Sequence, residues 1–311
     1  MLNRVLRYAG DFLSAIGEGG KLIILVYHRT PREPDPMLPE VIEAAVFEEQ
    51  VCLLARAFNV LPLGDACARL AAGKLPARSV CITFDDGYAD NETVAAPILK
   101  RYGVSATFFV STGYTRGGIM FNDAIIEAVR RAPADTYDLS PLGLGPYTVS
   151  GIQSRRKLIS ALIARLMYRS AGDRSDQVEK LAGLLRTEPP RDLMMTHAQI
   201  ANLHAGGMEI GAHTVHHPIL SLLDREHARA EILEGKRELE RITQAPVRLF
   251  AYPNGKPGID YGPRDTALVK EAGFAAAVST AVGVAARDSD LFQLPRLGLW
   301  DRQPRRLGAR L

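Results

Sequence analysis

The sequence predicts an α/β fold, a closed or nearly closed barrel of about seven mainly parallel strands with a helical insertion on one side. Three observations predict it. Short apolar runs recur along the chain with helical patterns between most of them, the rhythm of strand, helix, strand. About seven such units occur, enough to close a sheet on itself. The rhythm breaks once, from about Asn122 to His204, where helical patterns continue without a clear strand.

Residues 1–20 open the chain as an amphipathic helix, because Val5, Leu6, Ala9, Phe12, Leu13 and Ile16 recur at helical spacing. Arg4, Arg7 and Asp11 interrupt it, so it resembles neither a secretory signal nor a membrane span. Packing against the rest of the protein is the favoured reading. The alternative is peripheral membrane association, with Arg4 and Arg7 at the lipid headgroups. A cytoplasmic location is the expectation in either case.

Residues 21–311 form the main domain. Ile23–Tyr27 reads as the first buried strand, followed by Val80–Phe84, Ala106–Val110, Met208–Ala212, Arg248–Tyr252 and Phe274–Ser279. Phe292–Arg296 is a weaker seventh. Helical stretches lie at Phe47–Ala57, Asn91–Tyr102, Arg225–Arg241 and Pro263–Ala272. The insertion, at about 122–204, carries helical patterns over Asp123–Arg131, Arg155–Tyr168 and Gln177–Leu185. Thr196 with Gln199 has the spacing of a capping box, opening a helix that leads to Gly206 and Gly207.

Composition bounds the function classes. Hydrophobic content of 47% and charged content of 23% over 311 residues are those of a globular protein with one large core or two modest ones. A net charge of +3, with no aromatic-rich basic block, argues against a nucleic-acid partner. The basic tail Arg302, Arg305, Arg306 and Arg310 reads as a solvated terminus. Cys52, Cys67 and Cys81 are an odd set without a CxxC pair, which points to free thiols and away from a thiolate metal site.

In a barrel of this kind reactive groups gather at the carboxyl ends of the strands. His28 follows the first strand, and Asp85, Asp86 and Gly87 follow the second. His213, Thr214 and His217 follow Met208–Ala212. Tyr252, Pro253, Asn254 and Gly255 follow Arg248–Phe250, and Arg296 ends the last strand. Adjacent acids alone would be a solvated turn. Behind an apolar strand they divide labour, one binding a cation and the other free as a base. HTVHH adds two imidazoles four apart, which one helical turn would bring to one face, although His213 with His216 is also feasible. Imidazole and carboxylate together suit zinc and related divalent metals.

TFDDG (Thr83–Gly87), HTVHH (His213–His217) and FAYPNG (Phe250–Gly255) resemble the first three motifs of polysaccharide deacetylases, the NodB-homology carbohydrate esterases of family 4. The similarity also takes in VYHR (Val26–Arg29), KRYGVSATFFV (Lys100–Val110) and the Leu294–Arg296 segment, so it spans roughly residues 21 to 300 in the expected order. It implies a distorted (β/α) barrel and a metal-dependent hydrolase that removes N-acetyl groups from an N-acetylhexosamine-containing polysaccharide or lipid-linked saccharide. Carried over position by position, the resemblance makes Asp85 the catalytic base and Asp86, His213 and His217 the ligands of a divalent metal. Zinc is the first expectation, with cobalt, nickel or manganese as alternatives. Thr214 would support the metal-bearing loop. Asn254, through its backbone N–H, and Tyr252 are the oxyanion and substrate candidates.

Two positions depart from the common pattern. Where many members carry an arginine that orients the catalytic aspartate, this chain has Ala251, and it has no histidine after His227 to serve as the late general acid. Arg296 is the candidate substitute for the arginine, and His28 for the acid. A structural histidine and a plain ion-pair arginine are the competing readings. A subset of the family that acts in exopolysaccharide synthesis has a similar YH near the first strand and FAYP in the third motif. Two other function classes stay open: a carbohydrate-binding protein that has lost activity on the same fold, and a metal-dependent amidase or O-acetyl esterase. Tyr88 and Asp90 are candidates to line the pocket, and Trp300 to stack on a sugar or fill the core.

Overall fold

The computed structural model describes residues 20–298. The amphipathic N-terminal segment, Trp300 and the basic tail lie outside the described residues. In chain order the elements are β1 (Lys21–Tyr27), α1 (Ala44–Ala57), β2 (Asn59–Val60), α2 (Leu63–Ala71), β3 (Ser79–Phe84), α3 (Ala96–Arg101) and β4 (Thr107–Val110). The insertion follows with α4 (Phe121–Arg131), β5 (Asp135–Asp138), β6 (Pro146–Val149), α5 (Ile152–Leu166) and α6 (Ala171–Leu185). The chain then returns through α7 (His197–Ala205), β7 (Glu209–Ala212), α8 (Arg225–Thr243), β8 (Leu249–Ala251), α9 (Pro263–Glu271), β9 (Ala276–Val282), β10 (Ala285–Ala286) and β11 (Leu294–Gly298).

Seven strands pair in parallel in the order β1, β11, β9, β8, β7, β4, β3, and β3 pairs back onto β1 to close the barrel. All seven coincide with the apolar runs read from the sequence. Their near-continuous hydrophobicity follows from burial on both faces. Along β1, Leu22 and Ile24 join the cluster containing Phe109, Leu249 and Leu294, whereas Ile23, Leu25 and Tyr27 pack with Phe47, Val51 and Leu54 of α1. Helix α2 adds Leu63, Ala66 and Leu70 to the first cluster. Short β2 and antiparallel β10 extend the barrel at β3 and β1.

The insertion has its own core, in which Ile125, Val129, Leu158, Leu162, Leu181 and Leu185 come together. The expectation that it lacks strands is corrected: β5 and β6 form an antiparallel hairpin, with Tyr137 opposite Tyr147. Only Tyr137 and Val149 of its eight residues are buried, and Asp135, Asp138 and Pro146 disfavour strands, so the apolar signal was faint. That core ends at Leu185, while Ile200 and Leu203 of α7 pack in the barrel's main cluster. Helix α7 opens on the expected capping box: Gln199 N–H donates to Thr196 Oγ1 at 3.3 Å, and Thr196 N–H to Gln199 Oε1 at 2.9 Å. Among the described residues no helix is long and apolar enough to cross a membrane. All three cysteines are free.

Candidate active site

Strand β3 delivers two acids to the carboxyl-terminal rim and sends them different ways. Asp85 is 3% exposed and meets Arg296, the inward-turned arginine of β11, which is 1% exposed. Arg296 Nη1 donates to Asp85 Oδ1 at 2.7 Å and Nη2 to Oδ2 at 2.6 Å. The guanidinium is itself held, donating from Nε to the Ser279 carbonyl at 2.9 Å and from Nη1 to Thr83 Oγ1 at 3.2 Å. Burial alone would raise the Asp85 carboxyl. The charge and hydrogen bonds of Arg296, with smaller contributions from His213 and His28, hold it below the usual carboxylate range.

Asp86 turns the other way because its backbone is left-handed, at φ 78°, ahead of Gly87 at φ 91°. A side chain at Gly87 would place its Cβ 2.8 Å from Val110 Cγ1, so the turn needs glycine. Asp86 Oδ1 is buried and has no hydrogen-bond partner among the described residues. It stands 3.4 Å from His213 Nε2 and 3.4 Å from His217 Nε2, longer than a good hydrogen bond. One ligand atom from each of Asp86, His213 and His217 lies within 4.8 Å of the others. An orphaned buried carboxylate oxygen facing two imidazole nitrogens is a donor set that fits a divalent cation.

The two imidazoles reach this point from a loop, not from the helical turn that their spacing suggested. Thr214 and His217 adopt left-handed backbone, at φ 65° and 51°, which swings both rings to one side. His213 donates Nδ1–H to the Ala251 carbonyl at 2.8 Å, leaving its Nε2 lone pair for the cluster. Thr214 Oγ1 accepts the His217 N–H at 3.1 Å. Burial pushes the His217 imidazole down to about 4, against the pull of Asp86. At His213 burial is outweighed by contact with Asp86 and by the charge of both carboxylates, which raise its pKa, so a cation competes there with a proton. His216 points away and bonds Glu231 Oε1 at 2.8 Å through Nδ1.

His28 follows β1 half-buried, close enough to act electrostatically on Asp85, Asp86 and His217. Its carbonyl accepts from Asn91 Nδ2 at 2.8 Å. Asn254 is the fourth left-handed non-glycine residue of this rim, at φ 55°, and its carbonyl accepts from Thr280 Oγ1 at 2.7 Å. The side chain of Tyr252 is not brought to the cluster. It stacks on Tyr261 with ring centroids 3.7 Å apart and donates its hydroxyl to the Phe292 carbonyl at 3.0 Å, and its N–H goes to Val278. Asp90 pairs with Arg29 at 3.0 Å, and Tyr88 is buried with its hydroxyl on Asp123 Oδ2 at 2.9 Å.

The profile of the polysaccharide deacetylase family matches residues 72–136 and 176–277, more than half of the chain. The chain belongs to the polysaccharide deacetylase family. It is accordingly an enzyme, a hydrolase of the carbohydrate de-N-acetylase class. A Bacillus subtilis relative, YxkH, provisionally named a polysaccharide deacetylase, is 22% identical over 279 residues, covering 89% of this chain and 71% of its own. Among solved structures, Streptococcus pyogenes deacetylase PplD in complex with acetate is similar at a TM-score of 0.64 and 21% identity, covering 94% of this chain and 98% of that one. IcaB from Ammonifex degensii is similar at 0.57 and 19%, covering 91% and 93%. The BpsB deacetylase domain from Bordetella bronchiseptica is similar at 0.58 and 18%, covering 91% and 97%. These likenesses are of fold.

Sequence reading missed three supports of this deacetylase's rim. Glu231 of α8 accepts the backbone N–H of Val215 at 2.9 Å and of His216 at 2.8 Å, which braces the histidine loop. Gly235, one turn further on, lets the helix close on that loop, since a Cβ there would lie 2.8 Å from the Thr214 carbonyl oxygen. Glu231 and Gly235 share a helical face, a spacing visible in the sequence but silent about what it touches. Asp123 of α4 is the third, a buried carboxyl raised to about 7 by burial and by the charge of Asp86.

Proposed function

We propose that this enzyme removes N-acetyl groups from an N-acetylhexosamine-containing saccharide, polymeric or lipid-linked, with a divalent metal held by Asp86, His213 and His217. The observation that carries the reading is the convergence of these three ligand atoms beside the Asp85–Arg296 pair. Zinc suits the site best. Two imidazole nitrogens and a carboxylate oxygen form a donor set of the kind that would hold it. When bound, such a metal polarises the acetyl carbonyl and makes water a better nucleophile at neutral pH.

The protein's own groups supply the rest. Asp85 is the base: Arg296 occupies one site on each carboxylate oxygen, and a second site on each remains to accept a proton from water. Because Arg296 takes the position-fixing role that Ala251 cannot fill, this chain keeps an oriented aspartate without the arginine of the third motif. The Asn254 N–H, for which no acceptor is found among the described residues, is the donor for the developing oxyanion. His28, beside Asp85 and Asp86, donates the proton to the leaving amine. An inactive carbohydrate-binding protein would have no use for a buried, charge-paired aspartate next to a metal cluster, and this argues for catalysis.

The test is acetate release from acetylated hexosamine oligomers and from lipid-linked N-acetylhexosamines, before and after chelation and after zinc, cobalt, nickel or manganese is returned. Loss on chelation and recovery on metal addition are expected. Turnover indifferent to chelator, or no acetate from any of these substrates, would overturn the reading.

A further inference from the structure

One arginine of the insertion, Arg174, lies within electrostatic reach of Tyr114 and Glu231, and its side chain has no hydrogen-bond partner among the described residues. Arg174 lies in the first turn of α6, on the same stripe as Val178, Leu181 and Leu185, which pack in the insertion's core. It is 6% exposed, and its Nε is sealed from solvent without a hydrogen-bond acceptor among the described residues. The contrast with Arg296 is informative, since that arginine is buried too but is answered by Asp85 in a bidentate pair. A buried guanidinium without a carboxylate is costly, and the first turn of a helix carries a positive field of its own.

What surrounds Arg174 offsets only part of that cost. Its guanidinium lies 4.5 Å from the centre of the Phe121 ring. Tyr114 and Glu231 are near enough to interact with its charge. Both are already engaged on the metal-bearing loop, however. Tyr114 donates its hydroxyl to the His216 carbonyl at 2.9 Å, and Glu231 holds Val215 and His216. An unmet donor with a fixed charge thus sits within electrostatic reach of the two residues that brace the histidine loop.

We propose that Arg174 is a specificity-determining residue that pairs with an anionic oxygen group of the saccharide, a carboxylate or a phosphate, so that the insertion selects acidic substrates. The proposal rests on the reading of the rim as a deacetylase site. The planar guanidinium is suited to either oxyanion.

The test uses the metal-loaded full chain and three probes: N-acetylhexosamine 1-phosphate, an acetylated oligosaccharide containing a uronic acid, and a neutral N-acetylhexosamine oligomer. Binding is followed by calorimetry and turnover by acetate release. The wild type should bind one anionic probe at least about tenfold more tightly than the neutral one, the scale of one charge-assisted contact. Which probe gains tells phosphate from carboxylate. Arg174→Gln should erase that preference by raising KM for the anionic probe, leave kcat within about twofold, and leave the neutral oligomer unchanged. Arg174→Lys should restore part of it. Arg174→Met should keep or raise the melting temperature, because an apolar residue continues the stripe at no charge cost. If Arg174→Gln fails to fold, the lysine and methionine variants decide. Equal wild-type affinity for all three probes, a preference that survives Arg174→Gln or Arg174→Met, or a parallel loss on every probe would overturn the proposal. Absence of acetate release from the neutral oligomer would count against the deacetylase reading instead, while calorimetry would still judge Arg174.

Discussion

Replacing Arg296 with methionine removes the guanidinium while roughly keeping the length of the side chain. The structure sets the size of the effect. Both partners are buried, both Asp85 oxygens are bonded, and among the described residues no other side chain is hydrogen-bonded to that carboxylate. Breaking such a pair from one side leaves an uncompensated buried charge, worth about 3–5 kcal/mol of stability at neutral pH. The sign with pH follows from the direction of the shift. In the wild type the Asp85 pKa is depressed, so its contribution is complete above the unfolded carboxylate value and is lost as pH falls through the folded one. In Arg296→Met, burial is opposed only by the smaller charges of His213 and His28 and raises that pKa relative to the wild type, so the variant does relatively better in acid. The difference between the two proteins should therefore be largest near neutrality and shrink toward pH 4. Urea unfolding across pH 4–8 measures it. In the same variant the acid limb of kcat/KM should move to higher pH, because the base now stays protonated longer, and kcat should fall by a factor on the order of 10² or more. A pH-independent loss below about 1 kcal/mol, with kcat/KM within threefold of wild type, would refute the assignment of Arg296 as the group that holds Asp85.

Asp86→Ala should abolish stoichiometric metal binding, measured by elemental analysis after gel filtration, since it removes the only carboxylate in the cluster. Asp85→Asn should retain the metal and lose turnover by about 10²–10⁴, the usual worth of a general base. His28→Ala should slow kcat at least tenfold with the metal retained; a change within about threefold, less than ~1 kcal/mol, would leave His28 structural. Ala251→Arg in an Arg296→Ala background should recover part of the activity lost in the single variant, because Ala251 packs in the cluster of Phe109, whose ring Arg296 faces, and is the position where the resemblance implies an arginine. A double variant no better than Arg296→Ala would show that the two routes are not equivalent.

Much of this was legible in the residues because barrel strands are buried on both faces, so each announces itself as an apolar run, and each reactive residue stands at the end of one. Arg296 could be named from its place at the end of Phe292–Arg296, and the structure seats it on Asp85. The errors have equally physical causes. Tyr252 is the residue after β8, so rim logic nominated it, yet one step of the alternation directs its ring to Phe250 and Tyr261. The histidine spacing suggested a helix because side chains four apart can share a face in that form, and sequence alone carries no sign that Thr214 and His217 are left-handed. The supports Glu231, Gly235 and Asp123 were silent because their importance lies in what they touch.

Those left-handed residues bear on how the rim came to be a site. Asp86, Thr214, His217 and Asn254 are four of the seven non-glycine residues with positive φ among the described residues, and all four lie in the loops after β3, β7 and β8. Conformations of this kind cost of order 1 kcal/mol or more each and persist only where the surroundings over-determine them. The surroundings here do so. Gly87 packs on Val110, Thr214 Oγ1 captures the His217 N–H, Glu231 accepts the Val215 and His216 N–H groups, and Thr280 holds the Asn254 carbonyl. The strain is concentrated at residues assigned to metal, oxyanion and loop support, whereas Asp85 and Arg296 show none and rely on charge. The site is therefore held in two ways: a backbone forced into place on the metal side, and an ion pair fixed in the barrel lumen on the base side. Damage to one need not undo the other, which is why Asp86→Ala and Arg296→Met should fail in different assays.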